Sequence, residues 1–176
     1  INQKSGNGKP IPAIISETGA VPGIKVDTGA KDLANSLDEK VTEGLDGLRE
    51  RLKKYYELGA RFTKWRGVYN IGEKYPSKLA INSNAHALAR YSALVQECGM
   101  VPIVEPEVLM DGDHSADDCL IKTSEVIQKC FEELLIHKID LTGIILKPNM
   151  ILAGKKKKNK ISNEEVSSKT LECLKK

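Results

Sequence analysis

The sequence has little of what marks a specialised chain. Its four cysteines, Cys98, Cys119, Cys130 and Cys173, include no pair at zinc-ligand or redox-motif spacing. That predicts reduced thiols in a cytosol-like, cytoplasmic setting rather than a disulfide framework. No apolar run approaches the length that crosses a bilayer, so no membrane association is expected. The net charge is only +3, too small to call for a particular partner. The one strongly basic run, Lys155-Lys156-Lys157-Lys158-Asn159-Lys160, carries no interleaved aromatic residue, so it reads as a solvated loop and not as a nucleic-acid site. Start and stop signals are missing too. The chain opens on Ile1-Asn2-Gln3-Lys4 and closes on Leu171-Glu172-Cys173-Leu174-Lys175-Lys176, an amphipathic pattern without cap, Gly or Pro. Residues 1–176 are therefore expected to be an internal segment of a longer protein, truncated at both ends.

What is present is a regular alternation of strand-like and helix-like segments after a turn-rich start. Residues 22–27, 61–69, 100–104 and 141–147 read as strands, the third ended by Pro106 and the fourth by Pro148. Residues 42–58 read as a helix ended by Gly59. Ser77 caps a helix running to Cys98, Ser115 another through His137, and Ser162-Asn163-Glu164-Glu165 resembles a capping box opening the last. Strands spaced by about forty residues with helices between them predict a parallel sheet with right-handed crossovers. An open doubly wound sheet and part of a (β/α)₈ barrel both fit. No glycine-rich phosphate fingerprint follows a strand, which speaks against the dinucleotide-binding version.

The charges favour the barrel. Residues two apart on a strand share a face. Lys25 pairs in this way with Asp27, Lys64 with Arg66 and Glu105 with Glu107, while Lys147 follows Ile145. Four successive strands thus end in ionisable groups on a single face, as at the carboxyl end of a parallel barrel, where such enzymes place their active sites. Neighbouring strands lie about 4.8 Å apart, so Glu105 on the middle strand is placed to reach Lys64 and Lys147 on either side. Lys147 ends the apolar run Gly143-Ile144-Ile145-Leu146, read as a buried strand. An amine there is expected to be desolvated and nucleophilic, suited to a Schiff base with a carbonyl. Glu105 suits the proton transfers of that chemistry, and Lys25 and Arg66 suit an anionic, phosphorylated substrate. The alternative is a salt-bridge network that only holds the barrel end together.

Five segments carry a more specific resemblance: Gly23-Ile24-Lys25-Val26-Asp27, Thr42-Glu43-Gly44-Leu45-Asp46-Gly47-Leu48, Lys64-Trp65-Arg66, Val101-Pro102-Ile103-Val104-Glu105-Pro106-Glu107 and Leu146-Lys147-Pro148-Asn149-Met150. In this order the chain resembles class I fructose-bisphosphate aldolase from about Gln3 to its end. The resemblance implies an α/β fold, a (β/α)₈ TIM barrel of which this chain supplies strands three to six. It implies a lyase of glycolysis and gluconeogenesis that cleaves fructose 1,6-bisphosphate reversibly, with no metal and no organic cofactor, in a tetramer. Lys147 resembles the Schiff-base lysine, Glu105 the proton-transfer glutamate and Lys64 the lysine assisting carbinolamine formation. Lys25 and Arg66 fall on positions facing substrate phosphate, and Glu107 on a neighbouring glutamate. The family's first-strand aspartate, its phosphate loops of strands seven and eight and its C-terminal tail have no counterpart here. Half a barrel leaves two open sheet edges, so the segment is not expected to be an independent stable enzyme.

Two weaker signals read as structural. Asp111-Gly112-Asp113-His114 is a turn before a helix, and His86, His114 and His137 show no metal-ligand spacing. Trp65 faces away from the charges and is expected to pack against helices. The rival functions are another Schiff-base sugar-phosphate lyase on the same barrel and a non-catalytic scaffold or binding role.

Overall fold

The computed structural model describes residues 1–175; Lys176, the last residue of the pattern read over 171–176, lies outside them. A short helix, α1 (Ile11–Glu17), precedes strand β1 (Gly23–Lys25). A hairpin of β2 (Gly29–Asp32) and β3 (Lys40–Glu43) follows, then α2 (Leu48–Glu57), β4 (Phe62–Tyr69), α3 (Lys78–Glu97), β5 (Val101–Val108), α4 (Ala116–Ile136), β6 (Ile145–Leu146) and α5 (Asn163–Leu174). Strands β1, β4, β5 and β6 form one sheet in chain order, with every neighbouring pair parallel.

Helices cover one face of this sheet because alternate strand residues and helical stripes are apolar together. Trp65 and Val104 on the strands, with Val26 just after β1, pack with Leu48 and Leu52 of α2, Leu88, Tyr91 and Val95 of α3, and Leu134 of α4. Trp65 is fully buried, its ring 5.5 Å from that of Tyr91, as its position in the alternation predicts. A second cluster, Cys119, Leu120, Ile127, Ile151 and Cys173, seats α5 on α4. The helix starts read from sequence hold. Ser77 accepts from the Ala80 N–H, Ser115 and Asp118 form a reciprocal capping box, and Ser162 accepts from the Glu165 N–H. The cysteines are free.

Three expectations need correction. The segment 42–58 is not one helix: Lys40–Glu43 pairs antiparallel with Gly29–Asp32. Asn84 of α3 fixes that hairpin, accepting from the Thr42 N–H and donating to the Lys40 carbonyl. Gly47, with φ 62°, turns the chain into α2. A local apolar pattern cannot announce a partner more than forty residues away.

Nor does Pro106 end its strand; β5 continues to Val108. The sheet tolerates Pro102 and Pro106 because of their parity. Even-numbered residues of β5 turn their backbone groups toward β6, as the Lys147 N–H to Val104 carbonyl bond (2.8 Å) shows. Along that side β6 pairs only at Ile103 and Val104, so the missing proline N–H groups leave no ladder bond unmade.

Finally, 141–147 is mostly not strand. Asp140 accepts from the Thr142 N–H and hydroxyl, winding Leu141–Gly143 into a 3₁₀ turn and leaving Ile145–Leu146 as the strand.

Candidate active site

The sheet face opposite the helices carries the charges. Register sets Lys25 beside Lys64, and Arg66 beside Glu105. Lys64 Nζ donates to Glu105 Oε2 at 2.7 Å, and Lys147 Nζ donates to Glu105 Oε1. One carboxylate therefore joins amines from three adjacent strands, β4, β5 and the end of β6. Arg66 pairs with Glu107 and Lys25 with Asp27. All six residues singled out in the sequence thus lie on one face of the sheet; Lys25 and Lys147 stand at the ends of their strands, whereas Lys64 is the third residue of the longer β4, not at its carboxyl end.

Their environments differ. The Glu105 side chain is 4 % exposed, whereas that of Lys147 is 58 % exposed. Lys147 is consequently not the buried amine its apolar run suggests, and Ile145 beside it is 49 % exposed. These residues face the interior of the sheet's arc, which this chain does not cover. What Lys147 has is a proton acceptor in direct contact and a backbone N–H anchored on Val104.

Burial of Glu105 pushes its pKa up, but the hydrogen bonds and charges of Lys147 and Lys64 outweigh it and hold the carboxyl below its ordinary value. A lowered folded-state pKa gives stability that is fully present above the unfolded value, near 4.5, and lost as pH falls through the folded value. Acid unfolding should accordingly show a loss of stability below about pH 4.5 that is smaller in Glu105→Gln. Equal acid profiles for the two proteins would rule out this origin.

Two supporting residues were given no role in the sequence reading, although Asp27 was placed there on the face of Lys25. Asp27, its side chain 2 % exposed, accepts from the Gly29 N–H at 3.0 Å and the Arg66 N–H at 3.4 Å besides pairing with Lys25. It ties β1 to β4 and holds Lys25 in place, and the same-face spacing of Lys25 and Asp27 was its available signal. Asn149 accepts from the Val108 N–H at 2.9 Å and donates to Thr123 Oγ1 at 3.1 Å. The chain leaving Lys147 is thereby locked onto β5 and α4. Nothing local in Pro148-Asn149 reveals those partners.

Parallel strands in chain order, helices on one face and a cluster of ionisable groups on the other define an arc of a (β/α)₈ barrel. The comparisons agree. A family model described as "Glycolytic: Fructose-bisphosphate aldolase class-I" matches residues 1–176. The chain is 52 % identical over 175 residues to a probable fructose-bisphosphate aldolase class 1 of Xanthomonas campestris, covering 99 % of this chain and 52 % of the relative. It is 47 % identical over 172 residues to fructose-bisphosphate aldolase 4, cytosolic, of Arabidopsis thaliana, covering 98 % and 44 %. Among solved structures, fructose-bisphosphate aldolase of Plasmodium falciparum, in complex with TRAP and a small-molecule inhibitor, superposes with a TM-score of 0.97 at 41 % identity. That match covers 99 % of this chain and 51 % of the other. The chain belongs to the class I fructose-bisphosphate aldolase family. It spans about half the length of the relatives it matches.

Proposed function

We propose that the protein carrying this segment cleaves fructose 1,6-bisphosphate reversibly into dihydroxyacetone phosphate and glyceraldehyde 3-phosphate through a Schiff base on Lys147. The observation that carries the proposal is the Lys64–Glu105–Lys147 bridge across three neighbouring strands. Glu105, held ionised, takes a proton from the Lys147 ammonium and frees the amine to attack the C2 ketone. The same proton, now on Glu105, is returned to the carbinolamine hydroxyl, which leaves as water. Lys64 adds positive charge beside the developing alkoxide. As the C4 hydroxyl gives its proton to a base supplied by the rest of the protein, the C3–C4 bond breaks, its electrons pass into the iminium to form an enamine and C4 leaves as the aldehyde, so neither metal nor organic cofactor is needed for this step.

Lys25 and Arg66 supply the cations for phosphate, with Glu107 and Asp27 as the carboxylates a phosphate must displace. A charge-assisted hydrogen bond is worth about 1.5–3 kcal/mol. Lys25→Ala and Arg66→Ala should each raise KM for phosphorylated substrate about tenfold or more while changing kcat much less. A fall in kcat at constant KM would assign these residues elsewhere.

The remaining strands of the protein are needed to close the barrel over this face, and a homotetramer is the expected assembly. A cytosolic location fits the name of the Arabidopsis relative and the four free thiols. No helix among the described residues is long and apolar enough to cross a membrane.

The test is a cleavage assay on the full-length protein with and without chelator. Turnover that survives the chelator and disappears on borohydride treatment with dihydroxyacetone phosphate is the expected result. Loss of turnover on chelation alone would contradict it. Residues 1–176 by themselves should show no Lys147-dependent cleavage, because β1 and β6 remain as unpaired edges.

A further inference from the structure

Histidines that look unrelated in the sequence meet on the outer, helical side of the sheet. Glu133 and His137 stand one turn apart on α4, where residues four apart share a face, and His86 faces them from α3. One ligand atom from each of the three lies within 4.8 Å of the others. His86 Nδ1 is 3.2 Å from Glu133 Oε2, and the two imidazole rings stand edge to face with centroids 5.0 Å apart.

We propose that His86, Glu133 and His137 form a site for a divalent transition-metal ion of the zinc class, clamping α3 to α4. Two imidazoles and a carboxylate are the donor set that borderline-soft divalent ions favour, and hard ions such as Mg²⁺ do not. At metal–ligand bonds of about 2.0–2.2 Å the donor atoms must close to roughly 3.3 Å apart in a tetrahedral site. His86 Nδ1 is already at that distance from Glu133 Oε2, and His137 Nδ1 stands 3.9 Å from the same oxygen, so a small side-chain adjustment of His137 and of the half-exposed His86 completes the closure.

The surroundings are arranged for it. His137 Nδ1 lies 2.9 Å from the Glu133 carbonyl oxygen. The same nitrogen is 3.9 Å from Glu133 Oε2, so the ring is held against the carboxylate with which it would share the ion. Lys129 engages Oε1 at 3.1 Å and leaves Oε2 toward His86, so it competes for the charge of Glu133 and not for the oxygen that meets the ion. His86 and His137 also border two open grooves, of about 540 and 330 Å³, that share Leu45, Arg90. Remaining coordination positions are therefore open to water. The set lies on α3 and α4, away from the Lys147 face, so it is separate from the chemistry proposed above.

Titration calorimetry of the chelator-treated, untagged full-length protein with zinc chloride tests this. One equivalent should saturate, and magnesium chloride at the same concentrations should give no binding heat. His86→Ala and His137→Ala should each weaken zinc affinity about tenfold or more. Both variants should melt cooperatively without metal, since His86 is half-exposed and His137 ends its helix. Saturating zinc should raise the melting temperature of the parent and not that of His86→Ala. Absorption bands of bound Co²⁺ should vanish with either substitution. Undiminished zinc binding in both variants, or no saturable heat in the parent, overturns the site. None of these readouts depends on turnover.

Discussion

Lys147→Ala in the full-length protein is expected to lower kcat for fructose 1,6-bisphosphate cleavage by about 10⁴-fold or more, the scale on which removal of a covalent nucleophile acts. No neighbouring amine can substitute. Lys64 donates to the other oxygen of Glu105 from β4, and Lys25 is engaged by Asp27, so each is already committed to another carboxylate oxygen. The fold should persist, because the Lys147 side chain is more than half exposed and its backbone bond to Val104 does not need the amine. Melting curves and kcat measured on one preparation make the comparison. A variant that retains turnover within a few-fold of the parent removes Lys147 from the chemistry.

Glu105→Gln should reduce kcat about 10²- to 10⁴-fold, the range for a positioned acid–base group, with a much smaller change in KM. Gln keeps the shape of the side chain and can accept a hydrogen bond, but it cannot take the ammonium's proton or return it to the carbinolamine. The substitution also leaves two ammonium groups facing each other with no carboxylate between them, in a position where Glu105 itself is nearly buried. Accumulation of an unreacted carbinolamine or slow imine formation in stopped-flow traces would locate the defect at dehydration. A rise in KM with kcat unchanged would instead make Glu105 a binding residue.

How far the sequence spoke for itself varies along the chain. The same-face spacing of Lys64 with Arg66, and of Glu105 with Glu107, was legible because strand alternation is fixed by backbone geometry. Contact of Glu105 with both lysines then follows from parallel order alone, and the structure has it. The helices begun by Ser77 and Ser115 were equally plain, since a cap is a local bond. What escaped was non-local. The β2–β3 hairpin depends on Asn84, and the continuation of β5 through Pro106 depends on how briefly β6 pairs with it. The exposure of Lys147 was misread for a related reason, because an apolar run implies burial only when something covers it. His86 and the pair on α4 are 47 residues apart at their nearest, so no spacing rule could join them.

Reduction of the protein by borohydride in the presence of dihydroxyacetone phosphate, followed by peptide mass mapping, tests the central claim most directly. The account predicts one reduced adduct per chain, on Lys147, in the peptide containing Pro148 and Asn149, and none in Lys147→Ala. An adduct on Lys64 or any other lysine, or cleavage activity that borohydride leaves intact, would contradict it.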